Sequence, residues 1–156
     1  MSSGVDSNQG GGAGNSQLSI ENMEYVKKMA EIQAEIQAEI NTSGLTDPQK
    51  STLNTLNNTV KEHLTVMDYS GVERDLAGNP VPNGKGGYFD HIQEMKDSYK
   101  SLKKSKKSLE GSLKNPNLGE QEKSMLEEAL KVANYHINKI DQIFNEYGGI
   151  EEWKKK

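Results

Sequence analysis

Hydrophobic residues recur every three or four positions in four separate stretches of this chain, which is the spacing of one face of an α-helix. The first stretch begins at Ser19, a suitable N-cap, and ends before the turn-forming segment 41–44. The second begins at Thr46, which has Gln49 three positions later as a capping box requires, and its apolar positions extend to Met67. The pattern predicts two amphipathic helices in the first half of the chain.

Two longer helices are predicted in the second half. The third begins near Gly87 and is stopped by the Asn-Pro-Asn segment 115–117. The fourth extends from about Glu120 to Glu146, where the glycine pair 148–149 closes it. The predicted fold class is mainly α, with four amphipathic helices.

The connection between the second and third helices is about twenty residues long and rich in glycine and proline. A short β-hairpin between residues 72–76 and 80–82 is one conformation for it, restricted by Pro80 and Pro82 to a sheet edge. Irregular backbone between rigid elements is where binding and catalytic residues concentrate. We therefore expect the functional residues in this loop.

Composition narrows the function classes. Only 32% of the 156 residues are hydrophobic, and residues 1–17 are so rich in Gly, Ser and Asn that a disordered linker is expected. The chain has no cysteine, which excludes disulfides, thiolate metal sites and a thiol nucleophile. No hydrophobic run is long enough for a membrane span, and the start of the chain lacks a signal-peptide pattern.

Basic residues are distributed unevenly in a chain whose net charge is −4. Seven lysines lie between Lys96 and Lys114, against two acidic residues. This stretch can follow a phosphate backbone, or it can be the solvated face of an ordinary helix.

Arg74 is the one arginine among nineteen basic residues. Its planar fork suits a phosphate, and the alternative is a structural ion pair with Asp75, Asp90 or Glu94. His91, in the first turn of the third helix, is the best candidate general acid or base, and the alternative is a surface histidine.

Four further positions complete the candidate set. His63, at the other shoulder of the loop, either approaches His91 or packs at the core edge, whereas His136 lies within an apolar stripe and is interpreted as structural. The segment Lys85-Gly86-Gly87 before a helix can form an anion cradle or a simple turn. Lys114 can supply a cation to a transition state or be an exposed turn lysine.

Histidines, lysines, an arginine and carboxylates without metal-ligand spacing are the groups that metal-free RNA cleavage needs. One group deprotonates the ribose 2′-OH, another protonates the leaving 5′-oxygen, and cations stabilise the phosphorane. We therefore expect neither a metal nor a cofactor.

Five short segments contain glycine or proline at turn-forming positions, three of them beside charged side chains: 70–75, 78–82 (Gly-Asn-Pro-Val-Pro), 86–91 (Gly-Gly-Tyr-Phe-Asp-His), 109–118 (Leu-Glu-Gly-Ser-Leu-Lys-Asn-Pro-Asn-Leu) and 147–150 (Tyr-Gly-Gly-Ile). Through them the chain resembles, over roughly residues 62–153, the type 28 domain of bacterial polymorphic toxins. The resemblance implies a helical ribonuclease at the C-terminus of a larger secreted effector. Such a toxin acts in the cytoplasm of a competing bacterium and is neutralised by a cognate immunity protein.

The resemblance also implies roles for particular segments. Residues 62–156 would form the toxin domain and residues 18–61 a delivery or docking segment. The polar positions that match the family are Arg74, Asp75, Tyr88, Asp90, His91 and Lys114. Phe89 stands where tryptophan is expected and keeps a stacking surface, whereas the departure at 83–85 leaves the role of Lys85 open.

The function predicted is therefore a monomeric, metal-independent endoribonuclease, with tRNA favoured by family analogy. Its predicted catalytic residues are His91, Arg74, Asp75, His63 and Lys114, and its predicted substrate-binding residues are Lys85, Gly86, Gly87, Tyr88 and Asp90. The alternative is a non-enzymatic helical interaction module, either an immunity partner or a secretion-targeting bundle. A toxin acting on membranes through the lysine-rich third helix is less consistent, because the core needs the apolar face of that helix.

Overall fold

The computed structural model describes residues 11–80 and 82–150, with side chains from residue 24 onwards. Within these residues there are five α-helices and no extended strand: α1 (Gly11–Ile40), α2 (Asp47–His63), α3 (Val66–Leu76), α4 (His91–Leu113) and α5 (Glu120–Asn145). The mainly α class is confirmed. The additional helix, α3, lies in the first half of the segment for which the sequence predicted a loop.

Helix α1 begins at Gly11 rather than at Ser19. Extending an existing helix costs far less than nucleating one, so the amphipathic part can propagate into a polar segment. Residues 11–17, which composition assigned to a linker, are thus part of α1, and residues 1–10 lie outside the described part of the chain.

The core lies between α5 and the other helices. α5 packs most extensively against α4, and α4 also contacts α2 and α3. The predicted apolar stripe of α5 is buried along its whole length, at Leu126, Ala129, Ala133, Ile137, Ile140 and Phe144. Among the described residues, no helix is both long and apolar enough to cross a membrane.

Capping boxes start both α2 and α3, and the second of them sets the corner between these helices. The predicted box at Thr46 and Gln49 is confirmed, with the Gln49 amide donating to Thr46 Oγ1 at 3.3 Å and the Thr46 amide to Gln49 Oε1 at 3.0 Å. Thr65 and Asp68 form a second box, in which the Asp68 amide donates to Thr65 Oγ1 at 3.2 Å. This second cap starts α3.

The β-hairpin that the sequence offered for residues 72–76 is wrong. These residues are helical, and Tyr69, Val72 and Leu76 form a buried stripe at steps of three and four. Met67, which the sequence assigned to the stripe of α2, lies in α3 and is 82% exposed.

The remaining connection between α3 and α4 is short and bent. It contains one isolated antiparallel bridge, between Pro82 and Tyr88. Helix α4 begins at His91, not near Gly87, because the Asp90 carboxylate caps it by accepting from the Gln93 amide at 3.0 Å. Position 81 lies outside the described residues.

Candidate functional site

A groove of about 580 Å³ lies where the end of α2, the outer face of α3 and the start of α4 meet. Its lining includes two of the predicted catalytic residues, together with exposed apolar and acidic side chains: Glu62, Met67, Gly71, Arg74, Phe89, His91 and Glu94. The structure thus brings Arg74 and His91 into one groove.

Asp75 contacts His91 through both of its carboxylate oxygens. Oδ2 accepts a hydrogen bond from the backbone N–H of His91 at 2.9 Å, and Oδ1 lies 3.6 Å from the ring Nδ1. Both side chains are largely buried, with 14% of His91 and 7% of Asp75 exposed. The separation of Oδ1 and Nδ1 is longer than a hydrogen bond, and among the described residues neither Oδ1 nor Nδ1 has a hydrogen-bond partner. Asp75 thus lies on the Nδ1 side of the ring, which leaves Nε2 as the nitrogen available for proton exchange.

Gly71, one turn before Asp75 on α3, provides the space for the imidazole. A Cβ atom built on Gly71 would lie 2.6 Å from Nε2 and Cδ2 of His91, closer than real Cβ atoms approach. The ring therefore rests on the bare backbone of α3.

Arg74 lies in the last turn of α3 and is exposed. Its Nε donates to the backbone carbonyl of Asn79 at 3.1 Å, which fixes the guanidinium against the turn that follows the helix. Asp75, one of three carboxylates that the sequence offered as ion-pair partners of Arg74, contacts His91 instead, since adjacent residues on a helix point in different directions.

In the segment before α4, the side chain of Asn83 accepts hydrogen bonds from the backbone of the same segment. Asn83 Oδ1 accepts from the amides of Lys85 at 2.7 Å and Gly87 at 3.3 Å, and the Asn83 amide donates to the Gly87 carbonyl at 3.1 Å. Two amides of the predicted anion cradle thus point at a carboxamide. The start of α4 is also bounded by the carboxylates of Asp75 and Asp90, which compete with an anion there.

The substrate-binding roles predicted for Lys85, Gly86, Gly87, Tyr88 and Asp90 stay predictions. Of their side chains, that of Tyr88 is 62% exposed.

Two predicted catalytic residues lie away from the groove lining. His63, at the end of α2, is exposed and 4.0 Å from Glu62 Oε2 rather than at the core edge. Lys114 is the C-cap of α4, and this helix of 23 residues separates it from His91 by about 34 Å. The structure does not bring either residue together with His91.

The groove contains residues that were not predicted as catalytic or substrate-binding. Glu94 lies three positions after His91 on α4, on the same face of the helix. That spacing was the signal that could have identified it. Phe89 is 50% exposed, with its ring centroid 5.7 Å from that of His91, and Met67 is more exposed still. Exposed apolar side chains beside polar groups are suited to contact with a nucleobase.

The third histidine is structural, as its place in an apolar stripe predicted. His136 is fully buried, and its Nδ1 lies 2.5 Å from the hydroxyl of Tyr69. Burial lowers the pKa of His136 to about 3, so its imidazole is neutral. Nearby, burial lowers the pKa of Lys139 to about 8 and raises that of Glu73.

No cluster of three or more His, Asp or Glu side chains able to hold a metal ion is found in the part of the chain that the structure describes.

Comparison with known proteins decides the family. The model of the family described as bacterial toxin 28 matches residues 44–146. The chain belongs to the bacterial toxin 28 family. The matched region begins ahead of residue 62, where the resemblance was expected to start, so α2 and the whole groove are part of the toxin 28 domain.

A relative with a described activity shares this toxin 28 region. The chain is 35% identical over 104 residues to the tRNA nuclease CdiA of Escherichia coli O6:K15:H31 (strain 536 / UPEC). The aligned part covers 67% of this chain and 3% of the length of that protein.

Proposed function

We propose that this chain is the toxin module of a polymorphic toxin and that it acts as a metal-independent endoribonuclease, with tRNA as the favoured substrate. Membership of the bacterial toxin 28 family and similarity to a tRNA nuclease support the substrate class. The observation on which the proposal depends is the imidazole of His91, braced by Asp75, in the same groove as Arg74.

The groove provides the groups that RNA transesterification requires. Glu94 accepts the proton of the ribose 2′-OH, whose oxygen attacks the adjacent phosphorus. The bond from phosphorus to the 5′-oxygen then breaks, and His91, which enters the reaction as an imidazolium with both ring nitrogens protonated, donates its Nε2 proton to that oxygen, which leaves a 2′,3′-cyclic phosphate and a 5′-hydroxyl. The guanidinium of Arg74 stabilises the negative charge of the phosphorane. The balanced reaction consumes no co-reactant, and the proton that Glu94 gains replaces the one that His91 gives up.

The biological setting of the proposal follows from the family. The module is delivered as part of a larger secreted effector, acts in the cytoplasm of a target bacterium as a monomer, and is neutralised by a cognate immunity protein. Residues 18–61 serve in delivery or docking. Because α2 lies inside the family match, α1 is the helix of segment 18–61 that is specific to delivery or docking.

Incubation of the purified chain with total bacterial RNA, with and without EDTA, tests the activity. We expect cleavage that EDTA does not inhibit, that His91→Ala abolishes and that Arg74→Ala strongly reduces. His63→Ala is the matched control, since it removes an imidazole outside the groove, and it should cleave RNA at the wild-type rate. Wild-type protein that leaves every RNA intact would contradict the proposal and favour a non-enzymatic interaction module.

A further inference from the structure

A second groove, of about 740 Å³, lies between α1 and α2. Its walls are apolar and come from both helices, at Val26, Ala30, Ala34, Val60 and Leu64. Because α1 lies outside the family match, only the α2 side of this groove is part of the toxin 28 domain.

The floor of the second groove contains a buried carboxamide without a partner. Gln33 is 6% exposed, and among the described residues neither its Oε1 nor its Nε2 has a hydrogen-bond partner. Asn57 beside it is 8% exposed, and its Oδ1 is also unpartnered, whereas its Nδ2 donates to Gln37 at 2.7 Å. Burying polar groups without partners is unfavourable, so a donor and an acceptor held side by side in an apolar slot indicate a ligand.

The rim of the second groove adds positive charge and leads to the first groove. Lys27 on α1 and Lys61 on α2 line it and are exposed. Thr65 and Val66, at the corner between α2 and α3, line both grooves. A chain molecule lying across this corner can therefore occupy both at once.

We propose that the second groove is a nucleobase subsite for the RNA strand whose phosphodiester lies at His91, an inference that rests on the proposed function. A base has two apolar faces that match the walls and an edge on which a donor lies beside an acceptor. Both amide atoms of Gln33 are closed to solvent in the free protein, so the carboxamide must turn towards the groove to meet such an edge. Glutamine then pairs with it through two hydrogen bonds, most often with N6 and N7 of adenine. Lys27 and Lys61 then meet the flanking phosphates.

A docked protein helix fits these observations less well. The backbone amides of a helix are bonded within the helix, so its apolar face would leave both atoms of Gln33 without partners. An unstacked base satisfies them and is the form in which sequence-specific proteins recognise single-stranded RNA.

Nucleotide binding is measurable without catalysis. The ¹⁵N-labelled full chain carrying His91→Ala is titrated with AMP, GMP, CMP and UMP, while the side-chain amide signals of Gln33 and Asn57 are followed by NMR. We expect at least one nucleotide, AMP first, to shift the Gln33 signal. A second substitution, Gln33→Leu, should weaken the affinity by about tenfold or more, because both contacts to the base edge are lost.

Gln121→Leu is the matched control, since it makes the same change at an exposed glutamine of α5 that lines neither of the two grooves. It should bind AMP as the parent does. Thermal melting checks the fold, and Gln33→Leu should be at least as stable as wild type, because it removes an unpaired buried amide.

Cleavage of short RNAs that differ in one base then tests the nucleobase subsite independently of the proposed ribonuclease activity. In the wild-type background, Gln33→Leu should raise KM and reduce the preference among bases. A wild-type chain that cleaves RNA while no nucleotide shifts the Gln33 signal would overturn the subsite alone. The subsite would also be overturned if the NMR shifts were confined to Lys27 and Lys61 and vanished with added salt. Occupation of the groove by a protein, and by no nucleotide, would overturn it as well. A chain that binds AMP at Gln33 yet cleaves no RNA would overturn the proposed function and leave a nucleotide site.

Discussion

The imidazole of His91 lies against the backbone of Gly71, at a distance that only a residue without a side chain permits. A Cβ atom at position 71 would be 2.6 Å from Cδ2 and Nε2 of the ring. Glycine inside a helix is destabilising by about 0.5–1 kcal/mol relative to alanine. Helix α3 is thus less stable than it could be at the position where it supports the proposed catalytic group.

We expect Gly71→Ala to lower RNA cleavage by about tenfold to a hundredfold, because a reacting group displaced by even 1 Å loses its alignment. Single-turnover cleavage rates measure this loss. Gly111→Ala is the matched control, since a Cβ atom there meets nothing within 4 Å. It should leave the rate unchanged and increase stability by about 0.5–1 kcal/mol. Equal rates for wild type and Gly71→Ala would show that the ring position is unimportant.

Asp75→Asn tests whether the charge beside Nδ1 matters beyond the backbone contact. An asparagine oxygen can still accept from the backbone amide of His91 and so keep this contact at the start of α4, but the negative charge next to the imidazole is lost. We expect cleavage to fall by about a hundredfold, within the range that acid–base groups contribute, with little change in the melting temperature.

Asp97→Asn provides the comparison for Asp75→Asn, because Asp97 is an exposed carboxylate on α4 that accepts from Gln93 and does not line the groove. Its cleavage rate should equal that of wild type. If Asp75→Asn melts much earlier than wild type and its activity follows the folded fraction, Asp75 is only a structural cap.

Periodicity predicted the long helices well and failed where a helix was short. The stripe of α5 and the capping box at Thr46 follow from local spacing alone. Helix α3 was missed because its 11 residues include glycine and charged side chains, and its buried stripe is only three residues long. Such a helix depends on tertiary packing against its neighbours, which a local pattern does not contain.

The candidate functional site was predicted only in part, because contacts between helices are not contained in a local sequence pattern. Arg74 and His91 were selected for their chemistry, and both line the groove. Lys114 was selected in the same way, although the predicted third helix already placed it at the opposite end from His91, and the 23 residues of α4 separate the two by about 34 Å. The partnership of Asp75 with His91 joins two helices across a loop, and no spacing along the chain encodes it.

The two cations should differ sharply in their effect on cleavage. Arg74→Ala is expected to lower the rate by about a hundredfold, as removal of one oxyanion-stabilising group does, and Arg74→Lys to restore only part of it, because an ammonium lacks the planar fork. Lys114→Ala should cleave RNA at the wild-type rate. A large loss in Lys114→Ala with an intact fold would mean that the RNA contacts the far end of α4.

The buried histidine makes folding stability depend on pH. The pKa of His136 is about 3 in the folded protein, against 6.5 for an unperturbed histidine. Between these values the unfolded chain binds a proton that the folded chain does not, so the free energy of unfolding falls as the pH decreases. The loss approaches about 1.4 kcal/mol per pH unit well inside this window and disappears above it, where both states are neutral.

Urea unfolding between about pH 7 and pH 4.5 measures this dependence. Carboxylates titrate in the same range, so the informative quantity is the difference from His136→Gln, which keeps a polar group near Tyr69 and cannot gain a proton. Wild type should lose stability more steeply than this variant as the pH falls, whereas His63→Gln, at an exposed histidine, should follow the wild-type curve. Parallel curves for wild type and His136→Gln would mean that His136 is protonated in the folded protein, and that its contact with Tyr69 is made by an imidazolium.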